Sequence, residues 1–392
     1  MSLSGKRILI GIGGGIAVYR VAELARLLKK SGAQVRCVMT KSACEFVSPL
    51  TFEALTGETV HTELFDLTSE REMGHIRLAR WADAVIIAPA TANLIARFTH
   101  GIADDLLSTM MQVCDKPVLL APAMNSSMWG SAATQHNIST LKQRGMFIVG
   151  PAAGELACGE SGSGRLSEPQ AIMSALLPLL TPQNLKGQRW VINAGPTVEA
   201  WDGVRVLTNR ASGKLGALLA NQAVIRGAEV TLIAGPGTPA VHPAILRTDV
   251  ESAAQMLEAS KMAAAGADLF IATAAVSDFR FEQPHQGKLK RSVMTDLSVK
   301  LVANPDIVAE IAAMKKRPGK VVAFAAEATD HINHAKAKLA NKGVDAIVAN
   351  DISNMGSNRA NGWWVTQAGA VAIESESKHD FAQCIINHIL ES

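Results

Sequence analysis

Short apolar runs alternate along this chain with longer stretches in which apolar residues recur every three or four positions. Arg7–Ile10 predicts a strand, and Val18–Lys30 predicts a helix with Val21, Leu24, Leu27 and Leu28 on one face. Ser31-Gly32 ends that helix, and Gln34–Met39 predicts a second strand. Buried strands are expected at Ala84–Ala88 and Pro117–Ala121. After the proline-marked stretch Leu176–Gly187 the pattern restarts. Strands are expected at Arg189–Asn193 and Glu229–Ile233, with a helix after Lys214, and further strands at Asp268–Thr273, Val321–Ala325 and Ala346–Ala349. Trp363–Thr366 and Ala370–Ile373 predict a hairpin around Gln367-Ala368-Gly369. The alternation implies an α/β protein with two doubly wound, Rossmann-like domains. Their expected bounds are 1–181 and 189–392, joined by a linker over 182–188.

Composition narrows the class. The 392 residues suit two domains, and 48% hydrophobic against 19% charged residues provides for substantial cores. Aromatics make up 4%, so aliphatic side chains must do most of the packing. A formal charge of +3, scattered along the chain, argues against nucleic acid as a partner. The amino terminus lacks the shape of a signal peptide, and no apolar run approaches the ~20 residues that span a bilayer. Cys37, Cys44, Cys114, Cys158 and Cys384 form no CxxC pair and no metal-ligand spacing, which points to a reduced, cytoplasmic protein.

The first strand runs into Gly11-Ile12-Gly13-Gly14-Gly15-Ile16-Ala17, a glycine loop at a helix amino terminus, where backbone N–H groups favour a phosphate. As a dinucleotide fingerprint it fails twice. Ile16 stands where the third glycine belongs, and the second strand ends in Thr40-Lys41 with no acid for a ribose. A mononucleotide such as FMN needs only the phosphate cradle and a ring pocket, so flavin is favoured over NAD and a generic NAD(P)-dependent oxidoreductase is disfavoured.

Pro122-Ala123-Met124-Asn125-Ser126-Ser127-Met128-Trp129 follows a buried strand, at the strand end where open α/β sheets bind ligands. Asn125 offers an amide donor and a carbonyl acceptor, and the methionines and Trp129 can form an adaptable wall. His75 lies in Gly74-His75-Ile76-Arg77-Leu78, just ahead of a helix. Cys158 lies in Ala157-Cys158-Gly159-Glu160-Ser161-Gly162-Ser163-Gly164-Arg165, whose glycines are too irregular for a helix or strand and predict a flexible loop. Together these segments resemble the flavin-dependent cysteine decarboxylases. The resemblance implies a flavodoxin-like domain binding FMN. His75 would assist thiol oxidation, Asn125 would hold the enethiolate, and Cys158, on a substrate flap, would protonate it. It implies cofactor contacts at Gly11, Gly13, Gly14, Gly15, Thr40, Ala88, Thr91, Ser108 and Met124. The family usually has serine at position 13 and lysine at position 20, where this chain has Gly13 and Arg20.

In the second half, Ala211-Ser212-Gly213-Lys214-Leu215-Gly216 contains GK but lacks the rest of a P-loop. Several segments instead resemble phosphopantothenate–cysteine ligase. They are Ala194–Arg205, Asn209–Gly216, Ala274–Phe279, Lys288–Arg291, Asn304–Val308, Phe324–Glu327, Lys336–Gly343 and Ala349–Asp351. The resemblance implies a ribokinase/Rossmann-like ligase domain with Asn209 and Lys288 at the ligation step. Nucleotide contacts would come from Ala274, Asp278, Lys288, Asn304, Pro305, Asp306, Ile307, Phe324, Lys338 and Lys342, and Mg²⁺ would sit at Asp278. Activating a carboxylate with a nucleoside triphosphate gathers negative charges that lysines and Mg²⁺ must neutralise, which explains these residue types.

Both halves together resemble bacterial bifunctional coenzyme A biosynthesis proteins. That implies CTP-dependent joining of L-cysteine to 4'-phosphopantothenate through an acyl-cytidylate, then FMN-dependent decarboxylation to 4'-phosphopantetheine. It also implies a homo-oligomer, a dodecamer of decarboxylase trimers and ligase dimers. The alternative is a flavin-binding regulatory subunit without catalysis, against which His75, Asn125 and Cys158 argue by their presence.

Overall fold

Strand Arg7–Ile12 is buried at every position but its first, and the first sheet is built around it. The computed structural model describes residues 3–64, 74–155, 159, 161–288, 298–327, 331–351 and 360–392, with backbone alone at 326, 327 and 351. Cys158 and the 289–291 part of the lysine motif fall outside the described residues. The chain folds as two units, Met1–Pro182 and Gln183–Ser392.

In the first unit five parallel strands run in the order Gln34–Met39, Arg7–Ile12, Ala84–Ala90, Val118–Pro122, Phe147–Ile148. This is the flavodoxin-like order, whose switch point lies between the first strand and the third in sequence. Ala84–Ala90 is buried at all seven positions, as a central parallel strand covered on both faces must be. Helix Val18–Lys30 matches its sequence bounds and turns Val21, Leu24, Ala25 and Leu28 into the core, with Lys29 and Lys30 complementing the dipole in the last turn.

The structure differs from expectation at the flap. Ser161–Arg165 is a strand, paired antiparallel with Ala152–Glu155. Its glycines hide it from pattern reading, because a strand lacking side chains shows no alternation. His75, expected ahead of a helix, lies within helix Gly74–Trp81.

The second unit has an eight-stranded sheet in the order Leu246–Asp249, Glu229–Ala234, Arg189–Ala194, Leu269–Ala272, Lys320–Glu327, Ala346–Asp351, Gly362–Thr366, Gly369–Ile373. The first six strands are parallel and the expected hairpin adds two antiparallel ones at one edge. Part of the 182–188 stretch packs here: Leu185 is fully buried and its N–H donates to the Arg226 carbonyl (3.0 Å). Among the described residues no helix is long and apolar enough to cross a membrane.

Candidate active sites

In the first unit a cleft of about 1280 Å³ opens where the chain leaves the parallel strands. Gly14, Gly15, Thr40, Thr91, Met124 and Asn125 line it. A Cβ on Gly13 would come within 2.4 Å of the Pro89 carbonyl, and one on Gly14 within 2.3 Å of Ser42 Cβ. The loop therefore lies pressed against its neighbours and needs glycine at both positions. Gly15 has open space, with nothing nearer than 3.7 Å. Helix Val18–Lys30 starts at Ala17, which supplies no side-chain cap, so its first N–H groups suit an anion.

Thr40 caps the short helix Lys41–Cys44, accepting from Ala43 N at 3.2 Å, and Thr91 accepts from Leu94 N at 3.3 Å. Four expected cofactor residues, Gly11, Gly13, Ala88 and Ser108, stand behind the cleft. Gly11 is buried, and a Cβ there would meet Leu107 Cδ1 at 2.6 Å; Ala88 is buried too. Ser108, fully buried, donates its hydroxyl to Asp105 Oδ1 (2.7 Å) in a capping box that starts helix Leu106–Gln112.

Asn125 caps helix Ser126–Gly130, its Oδ1 accepting from Ser127 N at 2.8 Å, which fixes the side chain's orientation. The flap strand lies against this loop: Met124 N donates to the Gly164 carbonyl at 2.9 Å. A Cβ on Gly162 would stand 2.4 Å from Ser126 Oγ, and one on Gly164 2.2 Å from the Met124 carbonyl. These glycines are what let strand Ser161–Arg165 approach the Asn125 loop. Among the described residues His75 Nδ1 is buried with no hydrogen-bond partner, an orphan of the kind a ligand completes, and His75 stands outside the cleft lining.

Sequence reasoning noted Arg20 as a departure from the family's lysine and gave no role to the rest of the charged wall of the cleft. Arg97 pairs with Asp104 and Asp105, each at 2.8 Å. Arg20 pairs with Glu168 at 2.6 Å, and Arg165 reaches the same carboxylate at 3.3 Å. The hydrogen bond from Arg20 holds the Glu168 carboxyl below its ordinary range. Beyond that departure, the sequence signal is that all three arginines sit beside glycine-marked loops.

In the second unit, Gly195 (φ 84°) ends strand Arg189–Ala194 and Gly213 (φ 64°) starts helix Lys214–Ile225. A Cβ on either would fall 2.3 or 2.5 Å from Thr238 Oγ1, so the two turns close on one threonine. A Cβ on Gly216 would lie 2.5 Å from Ala194 Cβ, so the helix packs tightly on the strand. Around the loop after Leu269–Ala272 four predicted residues come together. Ala274 N donates to Asn193 Oδ1 (3.1 Å) and Asn209 Nδ2 to the Ala275 carbonyl (3.0 Å). Asn304 donates from its side chain to the Ser277 carbonyl and from its backbone to the Asp278 carbonyl, both at 2.8 Å. Pro305 follows, and Asp306 caps helix Ile307–Ala312 while pairing with Lys342 at 2.9 Å. Burial opposes the Asp306 charge, but Lys342 and the Val308 and Ala309 amides bring its carboxyl below the ordinary value. Ile307 is buried and Phe324 packs against the core. Asp278, Lys288 and Lys338 are exposed. The Gly287 carbonyl beside Lys288 accepts from Gly203 N at 3.0 Å, which ties that lysine's loop to the Ala194–Arg205 segment.

Two acids of that segment are committed to architecture. Glu199 accepts from Ala253 N (2.9 Å) at the start of a helix. Asp202 accepts from Val204 N and Arg205 N and pairs with the Arg205 guanidinium at 2.9 Å.

Residues 1–181 match the flavoprotein family, and residues 185–392 match the C-terminal domain of the DNA/pantothenate metabolism flavoproteins. The coenzyme A biosynthesis bifunctional protein CoaBC of Vibrio parahaemolyticus is 46% identical over 97% of this chain and 97% of its own length. That of Haemophilus influenzae is 44% identical over 100% of this chain and 98% of its own, and that of Escherichia coli 41% identical with the same coverage. The chain belongs to this family. It is a bifunctional enzyme of coenzyme A biosynthesis, with a phosphopantothenoylcysteine decarboxylase half and a phosphopantothenate–cysteine ligase half. The reading as a regulatory subunit is not favoured.

Proposed function

We propose that the first-unit cleft binds FMN and the cysteinyl substrate, and that the second unit activates 4'-phosphopantothenate with CTP. The observation that carries the first part is the glycine loop. At Gly13 and Gly14 a Cβ would collide with the neighbouring chain, and the uncapped helix start follows directly. That cradle fits a phosphate, and the buried, partnerless His75 Nδ1 fits a proton-exchanging ligand. Gly14, Gly15, Thr40, Thr91 and Met124 would contact the cofactor, with Gly11, Gly13, Ala88 and Ser108 shaping the wall behind them. Bound flavin supplies a reversible two-electron sink, which lets the cysteinyl carboxylate leave without net redox change. His75 takes the thiol proton at Nδ1, Asn125 orients the thiol-bearing end through its capped amide, and Cys158 returns a proton after carbon dioxide has left.

In the second unit Lys288, Lys338 and Lys342 neutralise the triphosphate, with Lys342 sharing its charge with Asp306. Asn209 orients the activated carboxylate near Ala274 and Asn304. A Mg²⁺ ion carried by the nucleotide needs only one or two carboxylates beside phosphates and water, which suits Asp278. L-cysteine then displaces the nucleotide from the acyl-cytidylate. Pro305 and Phe324 complete the base and ribose wall, with Ile307 buried in the core. The boundary falls at Pro182, with the mostly exposed 183–188 stretch anchored to the second unit's core by Leu185 alone. Exposed Ile16 and Tyr19 at the cleft, and Val204, Val206 and Phe279 in the second unit, support association of copies into trimers and dimers of a dodecamer. The unpaired thiols of Cys37, Cys44, Cys114 and Cys384 suit the cytoplasm.

The test is turnover of 4'-phosphopantothenate and cysteine with CTP or ATP, read by mass spectrometry beside a flavin spectrum. Product with CTP and a yellow protein are expected; equal rates with ATP would remove the CTP assignment. Cys158→Ser should release carbon dioxide, bleach the flavin band and accumulate the unsaturated enethiol, whereas His75→Asn should block bleaching. Normal turnover of Cys158→Ser would remove the cysteine from catalysis.

A further inference from the structure

The cleft of about 1280 Å³ exceeds the roughly 300–1,000 Å³ usual for one small molecule, in line with a cofactor and a substrate bound side by side. Its charged groups divide unevenly. Arg97 is met by two carboxylates, Asp104 and Asp105, each at 2.8 Å. Arg20 and Arg165 share one, Glu168, at 2.6 and 3.3 Å, so two guanidinium groups meet a single carboxylate in ion pairs, with Glu155 a further acid in the cleft lining. Both arginines line the cleft. Arg20 also donates to the Leu166 carbonyl at 3.4 Å, and its side chain is only 13% exposed, so its place is fixed. Arg165 sits on the flap strand, whose Gly164 carbonyl is held by Met124 N beside Asn125.

We propose that Arg20 and Arg165, bridged by Glu168, form a phosphomonoester subsite that reads the phosphate end of the cysteinyl substrate. A guanidinium presents a planar fork that matches phosphate oxygens, and two forks held by one carboxylate are spaced and charged for a dianion. Glu168 keeps them apart and oriented until the phosphate arrives. This rests on the decarboxylase reading above. FMN is also a phosphomonoester, so the experiment must separate the two.

The experiment measures, on the full-length holoenzyme, the dissociation constants of 4'-phosphopantetheine and pantetheine by calorimetry. Wild-type enzyme should prefer the phosphorylated ligand strongly; no preference would overturn the subsite while turnover of phosphopantothenoylcysteine left the decarboxylase reading standing. In Arg165→Met the preference should fall about 30-fold, as expected for loss of charge-assisted hydrogen bonds, and Arg165→Lys should restore part of it. Equal weakening of both ligands in Arg165→Met would make the arginine structural and overturn the proposal. Arg20→Met should likewise lower the preference. If Arg20→Met instead keeps the preference and loses FMN, read by flavin fluorescence titration of the apoprotein, the guanidinium serves the cofactor phosphate and the paired subsite is wrong.

Discussion

Gly164→Ala tests how closely the flap must sit on the Asn125 loop. The added Cβ would start 2.2 Å from the Met124 carbonyl oxygen, and real contacts essentially never fall below 3.0 Å. The hairpin must therefore retreat by at least 3.0 − 2.2 = 0.8 Å, because a backbone oxygen cannot rotate away. A straight retreat would stretch the Met124 N to Gly164 carbonyl bond from 2.9 Å beyond hydrogen-bond range. Overpacking costs about 1–3 kcal/mol and the lost bond about 1 kcal/mol, and the hairpin rather than the sheet bears both. A misplacement near 1 Å can cost about 10²-fold in rate, so kcat/KM for decarboxylation should fall ~10–100-fold while ligation is kept as an internal control. Gly162→Ala should be milder, because its obstacle is the Ser126 hydroxyl at 2.4 Å, which can turn. Adding Ser126→Ala removes that hydroxyl but leaves Ser126 Cβ at 3.1 Å, so it should recover part of the loss. Wild-type decarboxylation by Gly164→Ala, measured as carbon dioxide release, would refute the reasoning. A double variant no better than Gly162→Ala would refute the steric part.

Three further outcomes are expected. Leu185 is fully buried, so Leu185→Ala should cost ~2–4 kcal/mol in urea unfolding of the isolated second unit, and a fragment beginning at Lys186 should be less stable than one beginning at Gln183. Arg7 donates to Asp83 from its backbone and its guanidinium, both at 2.8 Å, and the guanidinium bond leads the causes that lower the Asp83 carboxyl from 3.8. A lowered folded value means that this stability is present above the ordinary value and lost as pH falls through the lowered one. Asp83→Asn should therefore cost up to about 1 kcal/mol at pH 7, because the pair is partly exposed, and the deficit should shrink as the pH falls below 3.8 and vanish once it is below the lowered folded value, read in a melting series. Lys288→Ala should slow acyl-cytidylate formation by ~2 kcal/mol or more of transition-state stabilisation and leave flavin content and decarboxylation intact; an unchanged ligation rate would remove Lys288 from the site.

Much of this architecture is legible in the residues. Val18–Lys30 and Gln34–Met39 carry clean periodicities and fold within their expected bounds. The loop after Val118–Pro122 lies at a strand end beside the cleft because a parallel strand with continuous apolar character has its next loop at the ligand face. What escapes is information carried by partners distant in sequence. Ser108 resembles a cofactor contact but is committed to Asp105, and nothing in Leu106-Leu107-Ser108 distinguishes a cap from a ligand. Leu185 is one apolar residue in a polar turn, so only the fold reveals that it is buried. Ser161–Arg165 has no alternation because its glycines are selected by what lies across from them, Ser126 Oγ and the Met124 carbonyl, rather than by the strand itself.

The glycine loop shows how far such a reading can be taken. Gly13 stands where the family resemblance leads one to expect serine, and the natural inference is a lost phosphate contact. The geometry gives a stronger statement, since any Cβ at that position would lie 2.4 Å from the Pro89 carbonyl and 2.6 Å from Leu94 Cδ1. Serine cannot be accommodated here without moving the chain at Pro89 or the helix Ala92–His100 behind it. The contact leaves no room for a side chain at this position, so a phosphate bound at the loop would meet backbone N–H groups here. Gly15, clear to 3.7 Å, meets no such protein contact, but it lines the cleft, so a side chain there would fill ligand space rather than strike the fold. Arg20 in place of lysine then matters more, because a fork that Glu168 already orients can reach past the loop toward a second anion, where a lysine would offer only a point charge.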